Sequence, residues 1–185
     1  MRVILASKSP RRKELLGELF NNFEIITAEV DESFPAEIHP REGVEILAVR
    51  KGAPIAEENP DALVISSDTL VELDGEPLGK PKNADDARDM LGRLSANTHR
   101  VHTGVAVHYK GRVASGVDTT SVVFRALTDA EIDAYVATGE PMDKAGAYGI
   151  QGKGAALVEG FAGSFDTVVG LSVSLTKSLI AEVTK

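Results

Sequence analysis

The chain has 185 residues, no cysteine and an acidic excess that gives a formal net charge of −8 at pH 7. The absence of cysteine excludes disulfides and thiolate metal sites, and the net charge argues against a nucleic-acid partner. No apolar run approaches the roughly 18 residues that span a membrane, and Val3–Ala6 is too short for the apolar core of a signal peptide. We therefore expect one cytoplasmic domain over residues 1–185.

The first predicted elements are a buried strand at Val3–Ala6 and a helix that begins next to Ser9. Ser9 suits the N-cap and Pro10 suits the first helical position. Three cations follow at once, namely Arg11, Arg12 and Lys13. A helix N-terminus disfavours each cation by about 0.3–1 kcal/mol. A phosphate that binds the backbone N–H groups and the arginines would remove this penalty, and the alternative is a solvated basic turn.

The rest of the chain alternates helix and strand patterns first and is dominated by hairpins later. The predicted elements are a strand at Phe23–Val30, a helix at Glu42–Glu58, a short strand at Ala62–Ile65, a hairpin of Leu70–Leu73 with Glu76–Leu78, a helix capped by Asn83, antiparallel strands at Val101–Val107 and Val113–Phe124, a helix from Thr128 to Gly139, and a last helix at Ser172–Val183. Gly52 and Pro54 predict a break or a kink just after Lys51. The fold class is α/β, with a mixed, twisted sheet flanked by helices.

Two common phosphate-binding motifs do not fit this sequence. The stretch Gly75–Lys80 has one residue too few between its glycines for a P-loop, and it lacks the Ser or Thr that follows the lysine. The glycines between positions 146 and 163 never have the dinucleotide-binding spacing after a strand. The four histidines show no spacing typical of a metal site.

Several polar residues lie where apolar patterns end. Asp68 follows a predicted buried strand, where ligand sites of α/β sheets form, and Glu32 follows another. Lys51, Lys80 and Lys144 lie beside small residues or in turns. Taken alone, each of these carboxylates is more typical of a turn or cap residue, and each lysine is more typical of a solvated turn. Together the cations would suit a polyphosphate, and the carboxylates would suit a divalent cation or a water molecule that is to be deprotonated.

Seven stretches of this chain match motifs of one protein family in the same order. They are Leu5–Arg12, Val30–Glu32, Lys51, Ser67–Thr69, Leu78–Pro81, Thr103–Val105 and Asp143–Gly152. The first reads LASKSPRR and the last reads DKAGAYGIQG, and both are long enough to be highly specific. Through these stretches the chain resembles the Maf family of nucleoside triphosphate pyrophosphatases, which were once described as septum-formation inhibitors.

The resemblance implies a mixed α/β fold with two lobes around a deep cleft, similar to that of the inosine triphosphate pyrophosphatases. It implies hydrolysis of a nucleoside triphosphate between its α and β phosphates, with a divalent metal cation, Mg²⁺ or Mn²⁺, as cofactor. Relatives often form a homodimer, and the sequence leaves this state and a monomer both open.

The resemblance also implies roles for individual residues. Asp68 corresponds to the general base, Glu32 to a metal or water-orienting partner, and Lys80 to a further residue of the catalytic set. Asp68 and Glu32 would then hold the metal. The implied substrate contacts are Ser7, Arg11, Arg12, Lys51, Thr69, Lys144 and Gln151.

The choice of base is implied by three positions, Arg12, Thr69 and Gln151, which resemble the branch that acts on dTTP and UTP. The amide of Gln151 offers both a donor and an acceptor, which suits the edge of uracil or thymine. The alternatives are the sister branch that acts on 7-methyl-GTP, a house-cleaning enzyme for modified nucleotides, and a non-catalytic nucleotide sensor that regulates cell division.

The chain departs from the usual family pattern at a few positions, none of which removes a catalytic group. These positions are Ser67, Gly52, Pro54, Ala96, Asp166 and Ser172. We expect the departures at Gly52, Pro54 and Asp166 to affect affinity more than the reaction.

Overall fold

The computed structural model describes residues 1–185 as a seven-stranded sheet with six α-helices. The strands are β1 (Val3–Leu5), β2 (Glu24–Ile25), β3 (Leu63–Leu73), β4 (Glu76–Leu78), β5 (Thr98–Tyr109), β6 (Arg112–Phe124) and β7 (Val158–Ala162). The helices are α1 (Pro10–Gly17), α2 (Pro40–Glu58), α3 (Ala84–Leu94), α4 (Asp129–Ala137), α5 (Phe165–Val169) and α6 (Val173–Val183). Short 3-10 helices cover Glu140–Asp143, Ala145–Ala147 and Gly152–Leu157.

The sheet is open and mixed, with the strand order β2-β1-β3-β5-β6-β7 and with β4 paired to β3. Strand β1 runs parallel to both of its neighbours, whereas β4 and β7 pair in antiparallel fashion with β3 and β6. The predicted mixed α/β class is therefore confirmed. None of the helices has both the length and the apolar composition that a membrane span requires.

The chain divides into two compact units. The first unit consists of Met1–Thr69, Thr103–Asp118 and Gly170–Lys185, and the second of Leu70–His102 and Thr119–Val169. Strands β3, β5 and β6 contribute residues to both units. The assignment of residues 1–185 to a single domain stays a prediction.

The core of the first unit lies on both faces of its strands. Val3 and Leu5 of β1 pack in one cluster with Leu16 of α1 and with side chains of α6, whereas Ile4 packs in a second cluster with Ile55 of α2. Successive side chains of a strand point to opposite faces, so α1 and α6 cover one face and α2 covers the other.

Helix α2 runs from Pro40 to Glu58 without interruption, so the predicted break after Lys51 is wrong, and the alternative of a kink there stays a prediction. Helix α2 packs closely against β3 at Gly52, since a Cβ atom on this residue would lie 2.6 Å from the Ser66 hydroxyl. Pro54 lies inside the helix, and an interior proline costs about 3 kcal/mol. The buried face of α2, which includes Leu47 and Ile55, favours the continuous helix because tertiary packing overrides local propensity.

Two predicted strands have different bounds in the structure. The strand predicted at Phe23–Val30 shrinks to β2, whose two residues are both exposed, because alternation without burial does not stabilise a strand. The strand predicted at Ala62–Ile65 instead continues to Leu73. Its polar residues remain in the strand because β3 has β5 beside it and pairs with β4 further along.

The predicted turns and caps are confirmed. Asp74 and Gly75 both have positive φ, 53° and 85°, as a two-residue type I′ hairpin requires. Asn83 caps α3 by accepting a hydrogen bond from the Asp86 N–H, and Thr128 forms a complete capping box at the start of α4. Strand β7 was not predicted, because it lies inside the glycine-rich stretch.

Candidate functional site

Two carboxylates of the first unit share one ammonium group. The Nζ atom of Lys51, on α2, donates to Asp68 Oδ1 at 2.5 Å and lies 3.1 Å from Glu32 Oε1. The side chains of Lys51 and Asp68 are 17% and 13% exposed, whereas that of Glu32 is 64% exposed. The arrangement therefore places a largely buried acid beside an exposed one, and Lys51 offsets the repulsion between them.

The carboxylates of Asp68 and Glu32 could supply some of the ligands of a hard divalent cation, with the others coming from substrate and water. The second oxygens of Asp68 and Glu32 receive no hydrogen bond from the chain. No group of three or more His, Cys, Asp or Glu side chains is arranged to hold a metal. Mg²⁺ commonly binds one or two carboxylates and completes its shell with substrate phosphates and water. Asp68 and Glu32 meet that description.

Arg12 of α1 is held by three acceptors of the first unit. Its Nε donates to the Gly170 carbonyl at 2.8 Å, Nη2 donates to Thr69 Oγ1 at 3.2 Å, and Nη1 donates to Ser7 Oγ at 3.4 Å. Burial lowers the pKa of Arg12, while the charge of Asp68 opposes that change. The guanidinium stays protonated at neutral pH, because arginine does not lose its proton in proteins.

The loop between β1 and α1 is organised by serine hydroxyls. The buried Ser7 accepts from the Ser9 N–H at 3.2 Å, and Ser9 is the predicted N-cap, accepting from the Arg12 N–H at 3.4 Å. The side chain of Arg11 is half-buried and forms no hydrogen bond or ion pair within the chain. All five N–H donors of the Arg11 side chain are therefore uncommitted, whereas three of those of Arg12 have acceptors in the chain.

Asp68 and Thr69 meet different helices although they are consecutive residues. Asp68 contacts Lys51 of α2, and Thr69 contacts Arg12 of α1. This follows from the strand geometry of β3, in which neighbouring side chains point to opposite faces. The prediction that Asp68 follows the end of its strand is wrong, because β3 continues through it.

The second unit carries the other predicted cations on turns. Lys80 follows β4 and is exposed, and its turn is held where the Gly146 N–H donates to the Gly79 carbonyl at 3.1 Å. Lys144 is 15% exposed, and its Nζ donates to the Glu140 carbonyl and to Asp143 Oδ1, both at 2.8 Å. The Gly79–Gly146 bond thus links the two turns that bear these lysines.

Gln151 of the second unit is exposed and lies in a loop anchored by residues that the sequence analysis missed. The Glu140 carboxylate accepts from the Tyr135 hydroxyl at 2.9 Å and from the Gly154 N–H at 3.0 Å. A Cβ atom on Gly154 would lie 1.9 Å from the Gly149 carbonyl oxygen. A run of glycines is a general signal of close backbone approach, but nothing in the sequence indicated the role of Glu140.

A buried ionisable pair in the second unit was also missed. Glu72 of β3 and His102 of β5 are 4% and 1% exposed, and Glu72 Oε2 lies 2.6 Å from His102 Nε2. Thr119 of β6 contacts the other ring nitrogen at 2.8 Å. The available signal was an acid within an apolar strand pattern, since a buried carboxylate requires a partner.

The structure brings the predicted residues of the first unit into two groups. One contains Glu32, Lys51 and Asp68, and the other contains Ser7, Arg12 and Thr69. Arg11 is next to the second group in the chain. Lys80, Lys144 and Gln151 belong to the second unit.

Comparison with solved structures supports the fold. The structure of the Ham1 protein of Staphylococcus aureus is similar to this chain with a TM-score of 0.53, over 97% of this chain and 91% of that one. The sequence identity is 17%, so the likeness concerns the fold alone.

Comparison with known sequences covers almost the whole chain. The dTTP/UTP pyrophosphatase of Bacillus velezensis is 48% identical over 98% of this chain and 96% of its own length. The protein of the same name from Bacillus anthracis is 48% identical over 94% of this chain and 91% of its own. A family model described as Maf-like protein matches residues 2–183. The resemblance read from the motifs is therefore confirmed, and the chain belongs to the Maf family.

Proposed function

We propose that this protein hydrolyses nucleoside triphosphates, with dTTP and UTP as its substrates, to the monophosphate and pyrophosphate. The observation that carries the proposal is the largely buried Asp68 beside Lys51 and Glu32. Membership of the Maf family and relatives named dTTP/UTP pyrophosphatase support the same reaction. Nucleoside triphosphates are metabolites of the cytoplasm, which we propose as the compartment.

In this proposal Asp68 is the general base. A water molecule attacks the α-phosphorus and its proton passes to Asp68, while the bond from the α-phosphorus to the bridging oxygen breaks and pyrophosphate leaves. Lys51 contacts one oxygen of the carboxylate, Oδ1, so Oδ2 is left to accept the proton. Lys51 also holds the carboxylate in one orientation, which general-base catalysis requires.

Glu32 and Asp68 would hold the metal, which we propose to be Mg²⁺ or Mn²⁺. When bound, the cation neutralises charge on the phosphates and lowers the pKa of water. The exposed Glu32 can turn toward an incoming ligand, because only the Lys51 contact restrains its carboxylate.

The cations would bind the phosphates. A nucleoside triphosphate carries about four negative charges, and charge-assisted hydrogen bonds to arginine and lysine are roughly twice as strong as neutral ones. Arg11 has uncommitted donors beside the N-terminus of α1, which attracts anions. Lys80 and Lys144 would contribute from the turns of the second unit, and Lys80 would act in the catalytic set.

We propose that the base is recognised by Arg12, Thr69 and Gln151. The Gln151 amide is exposed, and its donor and acceptor match the N3–H and a carbonyl oxygen of uracil or thymine. Thr69 and Arg12 are already joined by a hydrogen bond, which presents them as one preorganised polar group.

The test is pyrophosphate release from a panel of nucleoside triphosphates by purified protein, with Mg²⁺ and with Mn²⁺. We expect turnover of dTTP and UTP that exceeds turnover of 7-methyl-GTP and of modified pyrimidine triphosphates. A preference for 7-methyl-GTP would overturn the substrate assignment, and a preference for modified nucleotides would favour a house-cleaning role. Nucleotide binding without pyrophosphate release would overturn the proposed enzymatic activity and favour a non-catalytic nucleotide sensor.

A further inference from the structure

One backbone carbonyl of the first unit accepts two hydrogen bonds. The Gly170 oxygen accepts from Arg12 Nε at 2.8 Å and from Ser67 Oγ at 2.9 Å. A carbonyl oxygen has two lone pairs, so both bonds can exist at once. Arg12 and Ser67 therefore share an acceptor without competing for it.

The orientation of this carbonyl requires a restraint. Gly170 has a φ of +133°, a conformation that side-chain-bearing residues rarely adopt. Glycine also has more accessible backbone conformations than any other residue, so its peptide group is the easiest to rotate. The Ser67 hydroxyl, on a fully buried side chain of β3, supplies a fixed donor that opposes such a rotation.

Arg12 depends on that orientation. Three of its five N–H groups have acceptors in the chain, and one N–H on each terminal nitrogen is left for a ligand. The bond from Nε to Gly170 is the shortest of the three. An arginine side chain loses conformational freedom when it is ordered, so preorganisation before the ligand arrives strengthens binding.

A second hydroxyl supports the same guanidinium. Thr69 Oγ1, which accepts from Arg12, lies 3.0 Å from Thr103 Oγ1 on β5. The two threonines and Ser67 thereby connect β3, β5, α1 and the turn before α6 in one hydrogen-bond network.

We propose that Ser67 is a positioning residue for Arg12, which it orients through the Gly170 carbonyl without touching the substrate. This inference rests on the proposed function, in which Arg12 helps to bind the nucleotide. Loss of the Ser67 hydroxyl should weaken nucleotide binding and leave the chemical step nearly unchanged, because Asp68 belongs to the other group of contacts.

Ser66 provides a matched control. It is also fully buried on β3, but its hydroxyl donates to the Ala48 carbonyl of α2 at 2.6 Å and has no link to Arg12. Ser66→Ala and Ser67→Ala thus remove the same group from adjacent positions of one strand. Only the second change should act through Arg12.

The experiment measures kcat and KM for dTTP hydrolysis and, by calorimetry, the affinity for a non-hydrolysable dTTP analogue. Both serine variants are made in the wild-type and Arg12→Ala backgrounds. We expect Ser67→Ala to raise KM and the dissociation constant about 3–10-fold, as for one lost hydrogen bond, with kcat changed less than about twofold. In the Arg12→Ala background the same change should have no further effect, because the two residues act as one unit. Ser66→Ala should leave KM unchanged.

Ser67→Cys keeps the size of the side chain with a weaker donor and should give a KM between those of wild type and Ser67→Ala. Ser67→Cys also provides the test of the hydroxyl if the Ser67→Ala protein fails to fold. An undiminished effect of Ser67→Ala in the Arg12→Ala background, or a KM equal to that of wild type, would overturn the inference. A wild-type protein without turnover would overturn the proposed function instead, and the calorimetric affinities would still test Ser67.

Discussion

The two compact units position their candidate site residues in different ways. In the first unit, Asp68, Lys51 and Arg12 lie on a strand or on helices, and each is bonded to another side chain of the candidate site. In the second unit, Lys80, Lys144 and Gln151 lie outside the strands and α-helices. Lys80 and Gln151 are exposed, and the ammonium of Lys144 bonds to Glu140 and Asp143, neither of which is a predicted site residue.

The difference concerns preorganisation. Groups on packed strands and helices keep their geometry before a ligand arrives, and electrostatic catalysis depends on such fixed geometry. Turns and loops are the usual carriers of ligand contacts, and their backbone is easier to move. We therefore expect the chemical step to depend most on the first unit, and the stability of the second unit to depend on how its loops are anchored.

Asp68→Asn tests the role of the first unit in the chemical step and has the largest expected effect. We expect turnover to fall about 10²–10⁴-fold, the usual contribution of a general base, because an amide cannot take the proton of the attacking water. Pyrophosphate release measures the effect. Asp61→Asn, which removes an exposed acid of the same unit, should retain full activity. An Asp68→Asn protein as active as the parent would remove Asp68 from its role.

Gly154→Ala tests the anchoring of the loop in the second unit. The new Cβ would lie 1.9 Å from the Gly149 carbonyl oxygen and 2.8 Å from the Tyr135 hydroxyl, so the loop must shift. We expect a loss of about 3 kcal/mol in the free energy of unfolding, the upper end for overpacking, measured by urea denaturation. Gly160→Ala is the control, since no atom lies within 4 Å of its Cβ position. Equal stability of the two variants would contradict the close approach.

Gly52→Ala gives the corresponding test in the first unit. A Cβ there would lie 2.6 Å from Ser66 Oγ and 2.7 Å from the His108 ring, so α2 must move away from β3. The expected cost is about 1–3 kcal/mol, with a fall in activity because Lys51 precedes this residue.

The control for Gly52→Ala is Gly92→Ala in α3, where the Cβ position is open. That change should stabilise the protein by about 0.5–1 kcal/mol, because alanine favours the helix. Thermal unfolding distinguishes the two variants by the sign of the shift. Stabilisation by Gly52→Ala would show that α2 can move without penalty.

The smallest expected effect is the pH dependence contributed by His99 of the second unit. Burial lowers the pKa of His99 to about 4, whereas an unfolded histidine titrates near 6.5. The unfolded state therefore binds more protons, and stability falls as the pH decreases from about 6.5 to 4, by about 1–2 kcal/mol at pH 5. Urea unfolding at pH 7 and pH 5 measures this loss.

His99→Gln should reduce the difference between the two pH values, because it removes the titrating ring. Gly160→Ala, which changes no ionisable group and whose Cβ meets no atom within 4 Å, should leave the difference unchanged. An unchanged pH dependence in His99→Gln would show that other groups cause the acid sensitivity. The first of these to test is the buried His108 of the first unit, because burial lowers its pKa as well.

Local structure was largely predictable. Short-range interactions form the caps at Ser9, Asn83 and Thr128 and the turn at Asp74-Gly75. The interacting residues lie within a few positions of each other, so a short stretch of sequence is enough to predict them. The break predicted in α2 failed for the opposite reason. Gly52 packs closely against Ser66 and His108, which are distant in the sequence and therefore absent from the local pattern.

The site was predictable as a set of residues and unpredictable as a set of contacts. The motifs contain Asp68, Lys51 and Glu32, but nothing in them indicates that one ammonium would join both carboxylates. Glu140 and the pair of Glu72 with His102 carried no motif, and their roles depend on burial that only packing creates.

The order of most elements, the family and the chemical groups available for a phosphate ligand could therefore be inferred from the sequence alone. The tertiary structure decided which groups meet. Arg12 bonds to a carbonyl 158 residues further along the chain, and Asp68 and Thr69 diverge to different helices. Such contacts depend on how strands and helices pack across large sequence separations, whereas caps, turns and motifs depend on neighbours in the chain.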